Sequence, residues 1–181
     1  MRNLTLSNFC AIILASGKGN RFGMPKSEAK VDGLLFSQRI SRNLLDSGLH
    51  NIILAKSLDT PSMLDSLRKT LKNMTDIPSH LIIWPVDHPF VQSNTVQILV
   101  EYAMQNPDCI IKPEYRGRRG HPIIIPSDLD IHNPVYETLR EVLRHSGVGT
   151  MIVAVEDQGI LQNINTKDDL DRFLESGEIH G

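Results

Sequence analysis

A glycine-rich segment with three cationic side chains occupies residues 14–26, directly after an apolar run at residues 10–14. The apolar run predicts a β-strand that is buried on both faces. Glycines adopt backbone angles closed to other residues, so successive N–H groups in such a loop can turn toward one anion. The glycines are Gly17, Gly19 and Gly23, and the cations are Lys18, Arg21 and Lys26. This combination favours the binding of a phosphate chain, with Arg21 suited to a bidentate grip.

The spacing within this loop excludes two common phosphate-binding motifs. A P-loop ends in Gly-Lys followed by Ser or Thr, and the segment contains no such tripeptide. A dinucleotide-binding loop requires glycine at the sixth position of its motif, where this chain has Phe22. The pattern that remains is Gly-x-Gly-x-Arg-x-Gly-x-Pro-Lys. The alternative interpretation is an ordinary glycine turn with solvated cations.

A carboxylate, Asp87, directly follows the apolar run at residues 81–86. An acid at the carboxyl end of a buried strand is well placed to hold Mg²⁺, which neutralises charge on phosphate oxygens during nucleotidyl transfer. The alternative interpretation is that Asp87 caps the following turn, as Asp-x-Pro sequences often do. Trp84 and His88 are expected to serve local packing or to face the substrate, and no chemistry is assigned to them.

Two asparagines, Asn163 and Asn165, flank Ile164 just before the last predicted helix. In an extended backbone their side chains lie on one side while Ile164 points into the core. Their amide oxygens could then reach a metal ion or a water. The alternative interpretation is the start of a helix, with Thr166 as N-cap and Asp169 three residues later in a capping-box arrangement. Both interpretations can hold together.

A glycine- and arginine-rich turn at residues 115–122 contains Gly120 and His121. Beside a phosphate-binding loop, such a turn could hold the phosphate of a second substrate. Composition alone favours the alternative of a solvated basic hairpin. His121 could also be a structural histidine bonded to a nearby carbonyl, so it is not predicted to act as a general base.

The elements that must position these side chains are short apolar strands that alternate with amphipathic helices. Strands are predicted at residues 10–14, 51–55, 81–86, 109–112, 122–125 and 151–155. Helices are predicted at residues 36–47, 62–73, 95–106, 136–145 and 167–175, with Ser93 and Thr166 as caps of the third and the last. This alternation predicts an α/β fold with three α/β/α layers and a Rossmann-like, mostly parallel sheet. Ligands of such sheets bind beyond the carboxyl ends of the strands, where the glycine loop and Asp87 lie.

Size and composition narrow the class of protein. A chain of 181 residues suits a single domain, 1–181, and a formal net charge of −2 argues against nucleic-acid binding. Cys10 and Cys109 lie in apolar runs, which is typical of core thiols in a reducing compartment, and no zinc-binding spacing exists. The sequence shows neither a membrane-spanning run nor a secretory signal core. We therefore expect a cytoplasmic protein without nucleic-acid or membrane partners.

The glycine loop resembles the signature loop of the MobA-like nucleotidyltransferases, the family of the molybdenum-cofactor cytidylyl- and guanylyltransferases. The usual form there is Leu-Ala-Ala-Gly-x-Gly-x-Arg-Met-Gly-x-Pro-Lys, and the notable change here is Ser16 in place of the second alanine. The segments at Asp87 and at Gly120 resemble the family's Gly-Asp-x-Pro-Leu-Val and Gly-His-Pro. A weaker match at residues 62–68 resembles Gly-Met-x-x-Ser-Leu-Arg. The resemblance implies the nucleotide-diphospho-sugar transferase type of fold.

The resemblance also implies a reaction in which a nucleoside monophosphate moves from an NTP to a phosphorylated acceptor, with release of pyrophosphate. Arg21 and Lys26 would then stabilise the triphosphate and the leaving pyrophosphate. The nucleotide would lie against the loop backbone and near one helical serine, and these contacts fall on Leu14, Ala15, Ser16, Gly17, Gly19 and Ser66.

The resemblance assigns Mg²⁺ to Asp87 together with Asn163 or Asn165, and it assigns the border of the acceptor site to Gly120 and His121. The cytidylyltransferases carry aspartates at the two asparagine positions, so the amides here remove formal charge from the metal site. The guanylyltransferases commonly show Asn-x-Asn-Thr-Pro-Glu-Asp at this point, which makes asparagine compatible with activity.

The sequence motifs do not distinguish between two bases of the nucleotide or between two acceptors. Gly-His-Pro is typical of the cytidylyltransferase branch and Asn-x-Asn of the guanylyltransferase branch, so CTP and GTP are both candidates. The first acceptor hypothesis is a molybdopterin-type phosphate, and the second is a sugar 1-phosphate. The alternative class is a non-catalytic nucleotide-binding module that assists a metalloenzyme client. The two amides favour it, and so does the short connection at residues 56–61, where the family usually has another helix and strand.

Overall fold

A computed structural model of the protein describes residues 4–15, 29–56, 60 and 62–175. The strands within these residues are β1 (Phe9–Leu14), β2 (Lys30–Val31), β3 (Leu34–Leu35), β4 (Ile52–Ala55), β5 (His80–Pro85), β6 (Ile110–Tyr115), β7 (Arg118–Arg119), β8 (Ile123–Pro126) and β9 (Thr150–Ala154). The α-helices are α1 (Phe36–Asp46), α2 (Met63–Lys72), α3 (Ser93–Gln105), α4 (Leu139–His145) and α5 (Lys167–Glu175). Short 3-10 helices lie at Leu6–Asn8 and Gln158–Leu161.

The central sheet has the strand order β4-β1-β5-β8-β6-β9, and the two-residue β7 pairs with β6 beyond the end of β8. The pairs β4–β1, β1–β5 and β6–β9 are parallel. β8 runs antiparallel to both of its neighbours, β5 and β6. The expected mostly parallel sheet is therefore confirmed, and the strand predicted at residues 122–125 is an antiparallel strand inserted between β5 and β6.

Strand β1 shows why helices cover both faces of the sheet. All of its residues are buried, and alternate side chains of a strand point to opposite faces. Ala11 and Ile13 pack in the apolar cluster that also contains residues of α1, α3 and α5. Ile12 and Leu14 pack in the cluster that contains residues of α2 and α4. The described structure thus has the three predicted layers.

The start of α3 differs from the sequence prediction. Ser93 is the first helical residue rather than the cap, and the preceding Gln92 makes no side-chain capping bond. The start of α3 is capped instead by the buried carboxylate of Asp157, which is far away in the sequence. This carboxylate accepts hydrogen bonds from the Gln92 backbone N–H at 2.9 Å and from the Thr95 hydroxyl at 2.6 Å. A capping group contributed by a distant segment leaves no local sequence pattern.

Other boundaries differ for local reasons. The helix predicted from residue 136 begins at Leu139, because the Thr138 hydroxyl accepts from the Glu141 backbone N–H and caps it. The hairpin of β2 with β3 and the strand β7 were not predicted, since two-residue strands are too short to show a periodicity. Within the described parts of the chain, none of the helices has the length and apolar character that a bilayer crossing requires.

Candidate active site

The carboxyl ends of three parallel strands meet at one edge of the sheet. The Val86 backbone N–H donates to the Leu14 carbonyl oxygen at 3.0 Å, and the Ala15 N–H donates to the Ala55 carbonyl oxygen at 3.1 Å. Leu14 and Ala15 are buried, with 2% and 3% of their surface exposed. The predicted nucleotide loop leaves the sheet at this edge. Its residues Ser16, Gly17, Gly19, Arg21 and Lys26 lie outside the described residues.

Asp87 lies in the turn that follows β5 at this edge. Its carboxylate oxygen Oδ1 is 2.9 Å from the Nδ1 atom of His88, and the Asp87 side chain is 17% exposed. The Trp84 side chain connects this turn to the core, because its indole N–H donates to the His88 carbonyl oxygen at 2.9 Å and Trp84 is fully buried. The two residues without assigned chemistry, Trp84 and His88, therefore hold the turn that presents Asp87.

The segment with Asn163 and Asn165 runs alongside this turn. The Ile164 backbone N–H donates to the Asp87 carbonyl oxygen at 2.8 Å, and the Ile164 side chain is buried in the core. The Asn165 amide N–H donates to the Asn163 amide oxygen at 2.6 Å, so both side chains lie on the same side, as the extended interpretation predicts. The backbone of the segment that carries the two predicted amide ligands therefore lies against the turn that carries the predicted metal acid.

The helix-start interpretation of the same segment also holds. The Asp169 N–H donates to the Thr166 hydroxyl at 3.0 Å, and Asp169 Oδ2 accepts from the Thr166 N–H at 2.9 Å. The Thr166 hydroxyl and the backbone N–H groups of Asn165 and Thr166 lower the pKa of Asp169, because hydrogen bonds to the charged form favour ionisation. Asp169 is therefore occupied as a capping residue.

Gly120 and His121 lie beside the 3-10 helix at Gln158–Leu161. The His121 backbone N–H donates to the Ile160 carbonyl oxygen at 3.0 Å, and the His121 ring contacts the His88 ring edge-on with centroids 4.9 Å apart. Burial lowers the pKa of His121 to about 4, with a further lowering from His88 that outweighs the attraction of Asp87. His121 is thus neutral at pH 7 and a weak base, which agrees with the prediction that it is no general base.

A cavity of about 670 Å³ opens next to His121, between α4, the first turn of α2 and strand β6. Its cationic lining residues are Lys112, Arg119 and Arg140. The sequence pointed only to Arg119, within the basic turn. Lys112 interrupts an apolar strand, and a cation at such a position can indicate a binding site. Nothing in the local sequence distinguishes Arg140 from a solvated helix residue.

Ser66, the predicted nucleotide contact on α2, is buried, with 1% of its surface exposed. Its hydroxyl is 2.6 Å from the Thr60 hydroxyl. Ser66 is therefore not an exposed serine on the surface of the helix. Ser66 also lines a cavity of about 250 Å³ with Ala55 and Lys56, close to the carboxyl end of β4. Its role toward a nucleotide stays a prediction.

The family model for the MobA-like NTP transferase domain matches residues 11–160, and the chain therefore belongs to this family. It is a nucleotidyltransferase of the MobA-like type. A curated relative, a probable molybdenum cofactor guanylyltransferase of Bacillus cereus strain Q1, is 25% identical over 195 residues, which cover 91% of this chain and 94% of the relative.

Two solved structures share the fold. Rv0371C of Mycobacterium tuberculosis, solved in complex with manganese, has a TM-score of 0.71 at 20% identity and covers 93% of this chain and 98% of its own. Molybdopterin-guanine dinucleotide biosynthesis protein A of Archaeoglobus fulgidus has a TM-score of 0.66 at 17% identity and covers 95% of this chain and 100% of its own. The predicted nucleotide-diphospho-sugar transferase type of fold is confirmed.

Proposed function

We propose that the protein transfers a nucleoside monophosphate from an NTP to a phosphorylated acceptor, with Mg²⁺ at Asp87 and release of pyrophosphate. The observation that carries this proposal is the 2.8 Å hydrogen bond from the Ile164 N–H to the Asp87 carbonyl oxygen. It joins the backbone of the Asn163–Asn165 segment to the turn that carries the acid at the carboxyl end of the parallel strands. Ligands bind at this edge in open α/β sheets.

The donor atoms in this cluster suit Mg²⁺. Asp87 offers carboxylate oxygens and the asparagines offer amide oxygens, and Mg²⁺ prefers oxygen ligands. The Asn163 oxygen accepts one hydrogen bond from Asn165 and has a second lone pair for a metal or a water. No group of three or more His, Cys, Asp or Glu side chains that could hold a metal occurs among the described residues. This fits an ion that is completed by waters and substrate phosphates, as is usual for Mg²⁺.

When bound, Mg²⁺ would neutralise charge that develops on the α-phosphate and on the leaving pyrophosphate. An oxygen of the acceptor phosphate would attack the α-phosphorus, and the bond from that phosphorus to the bridging oxygen of the β-phosphate would break. The nucleophile is already an anion, so no side chain needs to remove a proton. Arg21 and Lys26 would stabilise the pyrophosphate as it leaves. His88 would orient Asp87 through the 2.9 Å contact with its carboxylate.

GTP is the nucleotide that we propose first, and a molybdopterin-type phosphate is the proposed acceptor. The curated relative is named as a molybdenum cofactor guanylyltransferase, and the Asn-x-Asn segment agrees with that branch. CTP is the second nucleotide to test, because Gly120-His121-Pro122 agrees with the cytidylyltransferase branch.

The test is calorimetric titration of GTP, CTP, ATP and UTP, each with and without Mg²⁺. We expect GTP to bind at least about tenfold more tightly with Mg²⁺, since electrostatic contacts in such sites are worth about 2–4 kcal/mol. Selective metal-dependent binding of CTP would support the proposed transfer reaction with CTP, and not GTP, as the nucleotide. Binding of none of the four would overturn the proposal and favour a non-catalytic module.

A further inference from the structure

Three cationic side chains from separate elements converge on the cavity beside His121. Lys112 comes from β6, Arg119 from β7 and Arg140 from α4. Within the described part of the chain, none of the three forms an ion pair or a side-chain hydrogen bond. Like charges that converge repel one another, and an anion in the cavity would relieve that repulsion.

Lys112 is the least exposed member of this group, and the other two cations act on it. Burial lowers the pKa of Lys112, and the positive charges of Arg119 and Arg140 lower it further. Two acids are near, because Glu137 lines the same cavity and Glu114 is the cross-strand neighbour of Arg119. Among the described residues, neither acid forms an ion pair with any of the three cations.

A neutral polar group also lacks a partner in this cavity. His121 lines it, and its ring Nδ1 is buried without a hydrogen-bond partner among the described residues. A buried ring nitrogen without a partner is costly, so His121 has an unmet hydrogen bond at the edge of the cavity. This unmet hydrogen bond is independent of the three cations.

The opposite wall of the cavity is apolar. Its apolar residues are Met63, Leu64, Ile123, Leu139 and Leu143. A cavity with cations on one side and apolar side chains on the other suits a molecule with an anionic group attached to an apolar organic body. A small polyhydroxylated phosphate would leave that wall without contacts.

We propose that Lys112, Arg119 and Arg140 bind the phosphate of the acceptor, while the apolar wall holds the acceptor's organic body. This inference rests on the proposed function and names the residues that select its second substrate. His121 lies between the two parts of the site, because its ring contacts both the cavity and His88, the neighbour of Asp87. The site therefore takes a phosphate monoester with an apolar body in preference to a sugar phosphate.

The experiment uses phenyl phosphate as the probe and glucose 1-phosphate as the comparison. Lysines are labelled as ¹³C-dimethylamines, which keep their charge, and the Lys112 signal is assigned with Lys112→Met. We expect phenyl phosphate to raise the pKa of Lys112, because an anion favours the ammonium form. Glucose 1-phosphate should do so only at higher concentration. The signal of Lys72, on the exposed end of α2, serves as the internal control and should not move.

Variants then separate this site from the nucleotide site. Arg140→Gln should weaken phenyl phosphate binding by about tenfold or more, since hydrogen bonds to charged groups are worth about 1.5–3 kcal/mol. The matched control Arg144→Gln, on the same helix but outside the cavity lining, should stay within about twofold of the wild type. Both variants should bind Mg²⁺ and GTP as the wild type does.

Two results would overturn the inference. One is a Lys112 signal that does not respond to phenyl phosphate, and the other is equal binding by the wild type and Arg140→Gln. If the protein binds phenyl phosphate through Lys112 but binds no NTP, the anion site is supported and the proposed function is contradicted. Loss of GTP binding in Arg140→Gln would show that the cavity belongs to the nucleotide, which also contradicts the inference.

Discussion

Gly120 lies so close to Ile160 that a Cβ atom on the glycine would stand 2.2 Å from the Ile160 carbonyl oxygen. The same oxygen accepts the His121 backbone N–H at 3.0 Å. Gly159, the neighbour of Ile160, is equally close to the Phe90 carbonyl oxygen. The 3-10 helix at Gln158–Leu161 is therefore held between the turn that carries His121 and the segment after Asp87, and both contacts require glycine.

Replacement of Gly120 by alanine should destabilise the protein by about 1–3 kcal/mol, the usual cost of forcing an added group into a packed site. Backbone atoms of Ile160 would have to move, and the His121 turn would move with them. Urea unfolding measures the change. Gly149→Ala is the matched control, because its Cβ would lie 3.7 Å from the Cys109 sulfur, an ordinary contact. Equal midpoints for the two variants would contradict the predicted clash.

Stability should fall as the pH drops from about 6.5 to 4, through the titration of His121. Burial depresses its pKa in the folded protein to about 4, against about 6.5 in the unfolded chain, so the folded state favours the neutral ring. The stability that comes from this neutral ring is fully present above pH 6.5, and it is lost at lower pH because the unfolded chain takes up a proton there. It amounts to about 3 kcal/mol at most.

The measurement for His121 is urea unfolding across this pH range. The wild type should lose more stability than His121→Gln does, since the variant has no ring to protonate. His50→Gln, which alters an exposed histidine, should follow the wild type. Parallel pH curves for the wild type and His121→Gln would show that this ring does not titrate as described.

Replacement of Asp87 by alanine should lower nucleotidyl transfer by more than about 100-fold, because it removes the charged ligand proposed for Mg²⁺ from a site built on electrostatics. The fold should survive, since the turn is held by Trp84, His88 and Ile164 through backbone atoms. Pyrophosphate release and circular dichroism measure the two effects. Asp76→Ala, at an exposed position, is the control. A folded Asp87→Ala protein with near wild-type turnover would remove the metal assignment.

Replacement of Asn163 by aspartate should tighten Mg²⁺ binding. In the wild type the Asn165 amide nitrogen lies 2.6 Å from the Asn163 oxygen. The carboxylate of the variant would still accept this hydrogen bond, and it would add a negative charge near the Asp87 turn. The half-saturating Mg²⁺ concentration should fall by about fivefold or more, since a charge 4 Å away is worth about 1 kcal/mol even in bulk water. A Mg²⁺ titration of GTP binding measures this. An unchanged or higher half-saturating concentration would place the ion away from Asn163.

Most of the local structure could be predicted from the amino-acid sequence. The apolar runs fixed where β1 and β5 lie, because burial on both faces requires uninterrupted apolar side chains. The Thr166 and Asp169 cap was predictable, since both partners lie within one turn of the helix. The glycine loop and Asp87 indicated the MobA-like family, since their side chains follow one another in a fixed spacing. The family match over residues 11–160 confirmed this.

Contacts between residues that are distant in sequence could be read only from the three-dimensional structure. Periodicity reports that a side chain is buried and not which strand it pairs with, so the antiparallel insertion of β8 between β5 and β6 could not be predicted. For the same reason, the Asp157 carboxylate at the start of α3 had no sequence signal. Lys112 and Arg140 are each ordinary in sequence, and they become a candidate anion site only because β6 and α4 pack around one cavity.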